Sequence, residues 1–489
     1  MAATIATTPE KTAGLFIGGE WRPPVGGGSY TVFNPATGEP AGDFADAGPQ
    51  DVEHAVAAAK RAFRDWAARS AHERSALLHR AADAMLAHSR ELARIASTEM
   101  GKPVRESEGE VQYAAGFLRW FAEEAKRVYG ETIPAAVPNK RHLVLRQPVG
   151  VAAAITPWNF PFAMITRKIG PALAAGCTVV LKPASQTPGS AVRLVDLLHE
   201  VGFPPGTVNL ITSSRAAAIG EALLAHPDVA KITFTGSTEV GKVLLRQAAS
   251  GVKRVSMELG GHAPFIVFAD AELDKAVAGL VASKFRNGGQ TCICPNRVYV
   301  EEPVAEAFTE RLLDAVRALK VGDSLDPAVD IGPLVSEAAV NKVEEHVADA
   351  VAKGARLLLG GERLREGACA RGCFYRPTVL GGVTPDMLVC REETFGPVVP
   401  LATFRTEEEA IRAANDTRYG LAAYFYTRDL ARSIRVMEAL EYGIVGCNDA
   451  LPSAPHVPFG GFKESGIGRE GGRQGIEEFL ETKYVSIGL

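Results

Sequence analysis

Residues 149–188, VGVAAAITPWNFPFAMITRKIGPALAAGCTVVLKPASQTP, hold two short apolar runs, VGVAAAIT and TVVLKP, on either side of an amphipathic stretch that extends through Leu173. Runs of this length read as buried strands, and the intervening spacing reads as a helix. The alternation continues through a helix from Ser190, the run VNLI, a further helix and KITFTG. Successive strand-helix-strand units bring parallel strands side by side, so a doubly wound α/β domain is expected here.

Toward the C-terminus the pattern restarts after Glu258 with PFIVF, a helix from Glu272 to Phe285 and RVYV, and it runs on to YGIVGCN at Asn448. A second α/β domain follows from this, and MELGGH falls at the junction, where clefts tend to lie. Toward the N-terminus, Asp51 to Phe63 and His72 to Met100 carry apolar residues at helical spacing, and Pro103 ends the second run. No chemistry is visible in that part. The alternating segments RHLVLRQ (Arg141 to Gln147) and TKYVSIG (Thr482 to Gly488) attach to neither sheet. They pair either with another subunit or with each other.

With 53 Lys and Arg against 57 Asp and Glu, the formal charge is −4, which leaves no global positive field for nucleic acid or an anionic membrane. The N-terminus, MAATIATTPEKTAGLFIGGEW, lacks the basic and apolar regions of a secretory signal, and a cytoplasmic location is expected. The 7 cysteines are irregularly spaced, which suits reduced thiols better than a disulfide framework. Cys369 and Cys373 have no second ligand pair at zinc-site spacing, so a plain loop and no metal are expected.

Several residues can carry chemistry, and each has a plainer reading beside it. Cys292, in FRNGGQTCICPNR, follows paired glycines that let backbone approach a ligand; the alternative is a buried small hydrophobe. Glu258 ends an apolar strand before two glycines, where burial would lift its proton affinity toward that of a general base; the alternative is a salt-bridged carboxylate. Asn159 in TPWNFPF offers an amide donor to an oxyanion, or else forms an Asx turn. The G-x-G-x-x-G fingerprint is missing, but in FTGSTEVG Gly236 ends a strand and Ser237 opens a helix whose N-terminus suits a phosphate. Lys182 and Ser185 lie at the carboxyl end of another strand, where an adenosine ribose sits in doubly wound folds; a solvated lysine is the alternative.

TPWNFP, LKPASQTP, FTGSTEVG, MELGGHAP, GGQTC, EETFGP and PFGGFKESGIGREG occur in the order and spacing of the aldehyde dehydrogenase superfamily, and the resemblance covers nearly the whole chain. It implies an α/β fold with a Rossmann-type cofactor domain (residues 1–125 and 148–258), a second α/β catalytic domain (259–455), and small β segments for oligomerisation (126–147 and 472–489). A homodimer or homotetramer is implied. Cys292 resembles the catalytic thiol, Glu258 the base, and Asn159 the oxyanion donor acting with the Cys292 N–H. Thr156, Trp158, Lys182, Ser185, Gly236, Ser237, Glu393 and Phe395 resemble the cofactor-binding positions.

Within the superfamily the chain is most similar to bacterial succinate-semialdehyde dehydrogenases, through AMITRKIGPALAAGC, KFRNGGQTCICPNR and KPASQTP. That implies Arg167, Arg286 and Ser453 as the site for the far carboxylate of the substrate. Succinic semialdehyde is the expected substrate, with glutaric semialdehyde or a broad range of aldehydes as the alternative. An uncharged Ser185 beside Lys182 favours NADP, with NAD also used. Glu258 argues against a coenzyme-A-acylating relative, and the intact Cys292, Glu258 and Asn159 argue against a catalytically silent one. Cys294, two residues beyond the thiol, is a possible redox partner for it.

Overall fold

The computed structural model describes residues 9–489; the first residues of the N-terminal stretch read for a leader lie outside them. The strand Val151–Ile155 stands at the centre of an eight-stranded sheet. Thr178–Lys182 and Val208–Leu210 follow on one side, Val229–Thr235 and Arg254–Glu258 on the other, all parallel. The winding reverses at the central strand, and a crevice opens at the carboxyl ends where such a reversal occurs. Short antiparallel strands close both edges, Leu15–Ile17 and Glu20–Arg22 on one and Gly466–Ile467 on the other.

The chain leaves this sheet at Glu258 and enters a seven-stranded sheet at Ala263–Val267, so MELGGH connects the two sheets. In the second sheet Pro295–Glu301, Val398–Phe404 and Thr378–Gly381 lie on one side of Ala263–Val267, and Ala422–Tyr426 and Ile444–Cys447 on the other, all parallel. Only the edge strand Arg356–Leu359 runs antiparallel. Five apolar residues of Ala263–Val267 are buried, as expected of a strand covered on both faces.

Of the two readings of the alternating segments, pairing within the chain is the one observed. Lys140–Pro148 and Leu480–Gly488 form a continuous antiparallel ladder from Leu480 opposite Pro148 to Gly488 opposite Lys140, with Glu131–Ile133 outside. This sheet stands apart from the other two and leaves Ile133, Leu145, Tyr484 and Ile487 exposed.

The N-terminal helices differ from the expectation at two points. The single run His72 to Met100 is two helices, Ala71–Ala87 and Ser89–Met100, broken at His88, whose imidazole meets Glu91 at 2.9 Å. The second ends at Met100 on a left-handed Gly101 with φ of 82°, ahead of Pro103, which instead stands at the entrance to a further helix, Val104–Ala125. Proline cannot extend a helix from behind, yet its fixed φ suits the entrance to the next. No helix among the described residues is long and apolar enough to cross a membrane.

Candidate active site

Between the helix Leu273–Lys284 and the strand Pro295–Glu301 the backbone takes three left-handed residues in succession, Asn287, Gly288 and Gly289, with φ of 52°, 61° and 79°. At Gly289 no side chain fits, because a Cβ would lie 2.2 Å from the carbonyl oxygen of Gly396. This coil delivers Cys292 into a turn closed by the Cys294 N–H donating to Thr291 O at 3.1 Å. Cys292 lines two cavities at once, one of about 350 Å³ and one of about 290 Å³.

Arg167, Arg286 and Ser453 all line the larger cavity with Cys292. Arg167 is buried: its Nη2 donates to the Tyr113 hydroxyl at 2.7 Å, its Nε lies 3.5 Å from Glu470 Oε2, and its guanidinium stacks 4.1 Å above the Phe459 ring. Arg286 lies 5.2 Å above the Phe160 ring and has no ion pair among the described residues, its Nε being buried without a partner. The Ser453 hydroxyl is 2.6 Å from that of Tyr113.

The helix Val104–Ala125 supplies Glu106, Glu110 and Tyr113 to the same cavity, which corrects the expectation that the N-terminal part carries no chemistry. Their spacing puts them on one helix face, a signal present in the sequence. What the sequence hides is that this face turns toward a cavity formed with Cys292. Glu110 is neutralised by Lys102 and by the N–H groups of Phe162 and Ala163, at 2.8 and 3.1 Å. Glu106 Oε2 accepts the Asn287 N–H at 2.7 Å, and burial pushes its carboxyl up to about 6.

Trp158, Asn159, Gly236, Ser237, Glu393 and Phe395 line the smaller cavity. Trp158 and Asn159 follow the central strand and Gly236 and Ser237 follow its neighbour, so the switch point of the sheet is the floor. Asn159 Nδ2 donates to Gln290 O at 3.0 Å, which leaves its second amide hydrogen to give. Ser237 caps the helix Thr238–Ala249 by accepting the Val240 N–H. Glu393 Oε1 accepts the Gly261 N–H at 3.3 Å, and burial pushes its carboxyl up to about 7. Lys342, unmarked in the sequence because it sits in an ordinary amphipathic helix, holds this loop by donating to Glu393 O at 2.6 Å.

Glu258 ends its strand with a side chain 2 % exposed and both carboxylate oxygens without hydrogen-bond partners. Burial holds its proton affinity well above the ordinary carboxylate range, and the Glu470 carboxylate adds to this, against the charges of Lys168, Arg167 and Arg469. The cationic neighbours that the local sequence lacks therefore arrive from other elements. Lys168 pairs with Glu470 and also donates to Thr235 Oγ1 at 2.7 Å. Burial pushes the Cys292 thiol up to about 12, with Arg167 acting in the opposite sense. Cys294 is a free, fully buried thiol whose Sγ lies 3.6 Å from Lys284 O.

A thiol at the meeting of two cavities, a buried carboxylate of high proton affinity and an amide with a hydrogen to spare can together attack and hold a carbonyl. The profile of the aldehyde dehydrogenase family matches residues 21–485. The chain belongs to that family. It is similar to the NADP-dependent succinate-semialdehyde dehydrogenase of Escherichia coli strain K12, with 54% identity over 97% of each chain. It is also similar to a glutarate-semialdehyde dehydrogenase of Pseudomonas putida, with 52% identity over 97% of each. A crystal structure of an NADP-dependent enzyme from E. coli superposes with a TM-score of 0.97 at 52% identity, covering 99% of this chain and 100% of that one.

An aldehyde dehydrogenase oxidises its substrate with NAD(P), and buried polar atoms here fit such a dinucleotide. Thr156 and Lys182 end adjacent strands, joined by the Thr156 N–H donating to Lys182 O at 3.1 Å. The Thr156 hydroxyl is buried without a partner. The Lys182 ammonium has none among the described residues, and burial alone lowers it to about 8. Neither residue nor Ser185, whose Oγ is 3.3 Å from Gln186 Oε1, lines the cavity that holds Cys292. They stand farther along the carboxyl edge of the sheet.

Proposed function

We propose that this aldehyde dehydrogenase oxidises a short aldehyde with a terminal carboxylate, succinic semialdehyde foremost, and prefers NADP to NAD. The observation that carries the reading is that Cys292, Arg167, Arg286 and Ser453 open onto one cavity. A pair of guanidinium groups beside the Ser453 hydroxyl, in a cavity whose Glu110 is already paired with Lys102, suits a carboxylate by charge and by geometry.

A nicotinamide dinucleotide, when bound, supplies the acceptor for the hydride that turns a thiohemiacetal into a thioester. Thr156, Trp158, Gly236, Ser237, Glu393 and Phe395 hold it, with Lys182 and Ser185 at its adenosine end. The Cys292 sulfur attacks the aldehyde carbon. Burial raises the proton affinity of that thiol, so its proton leaves as the carbon–sulfur bond forms, with the unpaired Glu258 carboxylate as the base that takes it and passes it to solvent. The oxyanion is held by the second Asn159 amide hydrogen and the Cys292 N–H. Glu258 then takes a proton from the water that attacks the thioester carbonyl, releasing the acid and restoring the thiol. Its two unpaired oxygens and raised proton affinity support that role. The preference for NADP is supported by the uncharged Ser185 and by the absence of any carboxylate acting on Lys182.

One methylene in a pocket is worth about 1–3 kcal/mol, so glutaric semialdehyde is the second reading, favoured by the relative named for it. The test is kcat/KM for succinic semialdehyde, glutaric semialdehyde, butanal and benzaldehyde, each with NADP and NAD. A large preference for the carboxylated aldehydes supports the cavity assignment, and equal or better turnover of butanal removes it.

Residues 1–125 and 148–258 act as the cofactor unit and 259–455 as the catalytic unit. Residues 126–147 and 472–489 are the association surface of a homodimer or homotetramer. Ile133 and Tyr484, exposed on one face of this sheet, and Leu145 and Ile487, exposed on the other, support this, since apolar side chains on an open sheet mark an association surface. Native mass spectrometry of a variant with Tyr484 and Ile487 replaced by Lys checks it; an unchanged mass removes the assignment.

A further inference from the structure

We infer that Tyr113 is a positioning residue that sets specificity for the substrate's terminal anion, by fixing which way the Ser453 hydroxyl points. The inference rests on the reading of the cavity as a carboxylate site. Tyr113 comes from the helix Val104–Ala125, Arg167 from Ala163–Ala175, and Ser453 from the irregular segment after Ile444–Cys447. Their three side chains form an unbroken chain, with 2.7 Å from Arg167 Nη2 to the phenol oxygen and 2.6 Å from there to Ser453 Oγ.

The direction of this chain follows from the donor inventory. A guanidinium only donates, so the phenol oxygen accepts from Arg167 and keeps its own hydrogen to give. Ser453 Oγ is the oxygen within its reach, and we take the phenol as donor and the serine as acceptor across the 2.6 Å between them. A serine oxygen that already accepts is left with its own hydrogen free, and Ser453 lines the cavity. The hydrogen bonds therefore run outward from a cation to a hydroxyl donor, and each link polarises the next. A carboxylate accepts such a donor, whereas an unmodified alkyl chain gains nothing from it.

The phenol is also held in place. Its ring packs edge-on against Phe117 with centroids 4.8 Å apart, which keeps the hydroxyl between its two partners. Arg167 is turned partly toward Glu470 and the Phe459 face, so the Tyr113–Ser453 relay extends its influence to a point it does not itself occupy. Arg286, without an ion pair, is the direct guanidinium contact.

The test is Tyr113→Phe, which removes one oxygen and keeps the ring, assayed with succinic semialdehyde and with butanal. The expected result is a loss in kcat/KM for the carboxylated aldehyde of about 10- to 100-fold, carried by KM, the size usual for a hydrogen bond to a charged group. Butanal turnover stays within about twofold, and adding Ser453→Ala to Y113F costs little more, because both act through one hydroxyl. An unchanged preference in Y113F overturns the inference. Equal losses on both substrates assign Tyr113 a merely structural role and overturn it too, as do additive effects of the two substitutions. Should Y113F not fold, Ser453→Ala supplies the same comparison, and retention of the full preference there is the overturning result. A parent enzyme that does not prefer the carboxylated aldehyde defeats the cavity assignment itself, which separates the two failures.

Discussion

Replacing Lys182 by Met should make the cofactor-free enzyme more stable and the cofactor weaker to bind. The residue is 4 % exposed, no carboxylate among the described residues acts on its ammonium, and burial alone lowers it from 10.5 to about 8. At about 1.4 kcal/mol for each tenfold change in proton affinity, that drop corresponds to about 3 kcal/mol. Because the folded state binds the proton less tightly than the unfolded chain, the penalty is full below pH 8 and fades as pH rises toward 10.5. Lys182→Met keeps the length of the side chain and removes the charge, so most of this penalty disappears. Thermal unfolding at one scan rate and one protein concentration should show K182M melting higher at pH 7, by on the order of 5 °C, with the advantage shrinking between pH 8 and pH 10.5. Added NADP should raise the parent's melting temperature more than the variant's, and the variant's KM for NADP should rise at least about tenfold. A variant that melts at or below the parent at pH 7 without cofactor would refute the reasoning, since Lys182 would then have a compensating partner.

Asn159→Ala should lower kcat by about 10²–10³, the usual loss for one oxyanion donor, while iodoacetamide still labels Cys292; near-normal turnover removes Asn159 from the mechanism. The acid limb of kcat/KM should lie above the ordinary carboxylate range, because Glu258 works deprotonated and its proton affinity is raised. Glu258→Gln should lower turnover by about 10²–10⁴ and remove the limb from the activity that remains, and a limb that persists unchanged assigns it to another group. Lys168→Met leaves the buried Glu470 carboxylate with only the longer, 3.5 Å pair to Arg167 and should lower the unfolding midpoint; an unaltered midpoint shows that the Lys168 pair contributes nothing to stability.

Much of this site is legible in the chain because its residues stand at local punctuation. Asn159 follows a strand between two prolines, Gly236 and Ser237 lie at a strand-to-helix change, and Glu258 ends a strand before two glycines. Alternation of short apolar runs with amphipathic stretches also determined both sheets and their junction, because strands buried on two faces need continuous apolar runs. Tyr113, Glu106 and Lys342 were not legible, since each lies on a regular helix whose periodicity reads the same whether its polar face meets water or a cavity. The charges around Glu258 were hidden for a related reason. Glu470 and Lys168 are remote in sequence, and only the tertiary structure brings them to a carboxylate with no cation beside it along the chain. The pairing of Lys140–Pro148 with Leu480–Gly488 was likewise left open, because alternation defines a strand's two faces but not its neighbour. Sequence alone thus determined the fold class and, through its resemblance to a family, named the candidate reactive groups, which stand at local punctuation. Tertiary structure decided which groups share a cavity and what proton affinity they have, because burial and distance are properties of elements brought together from afar.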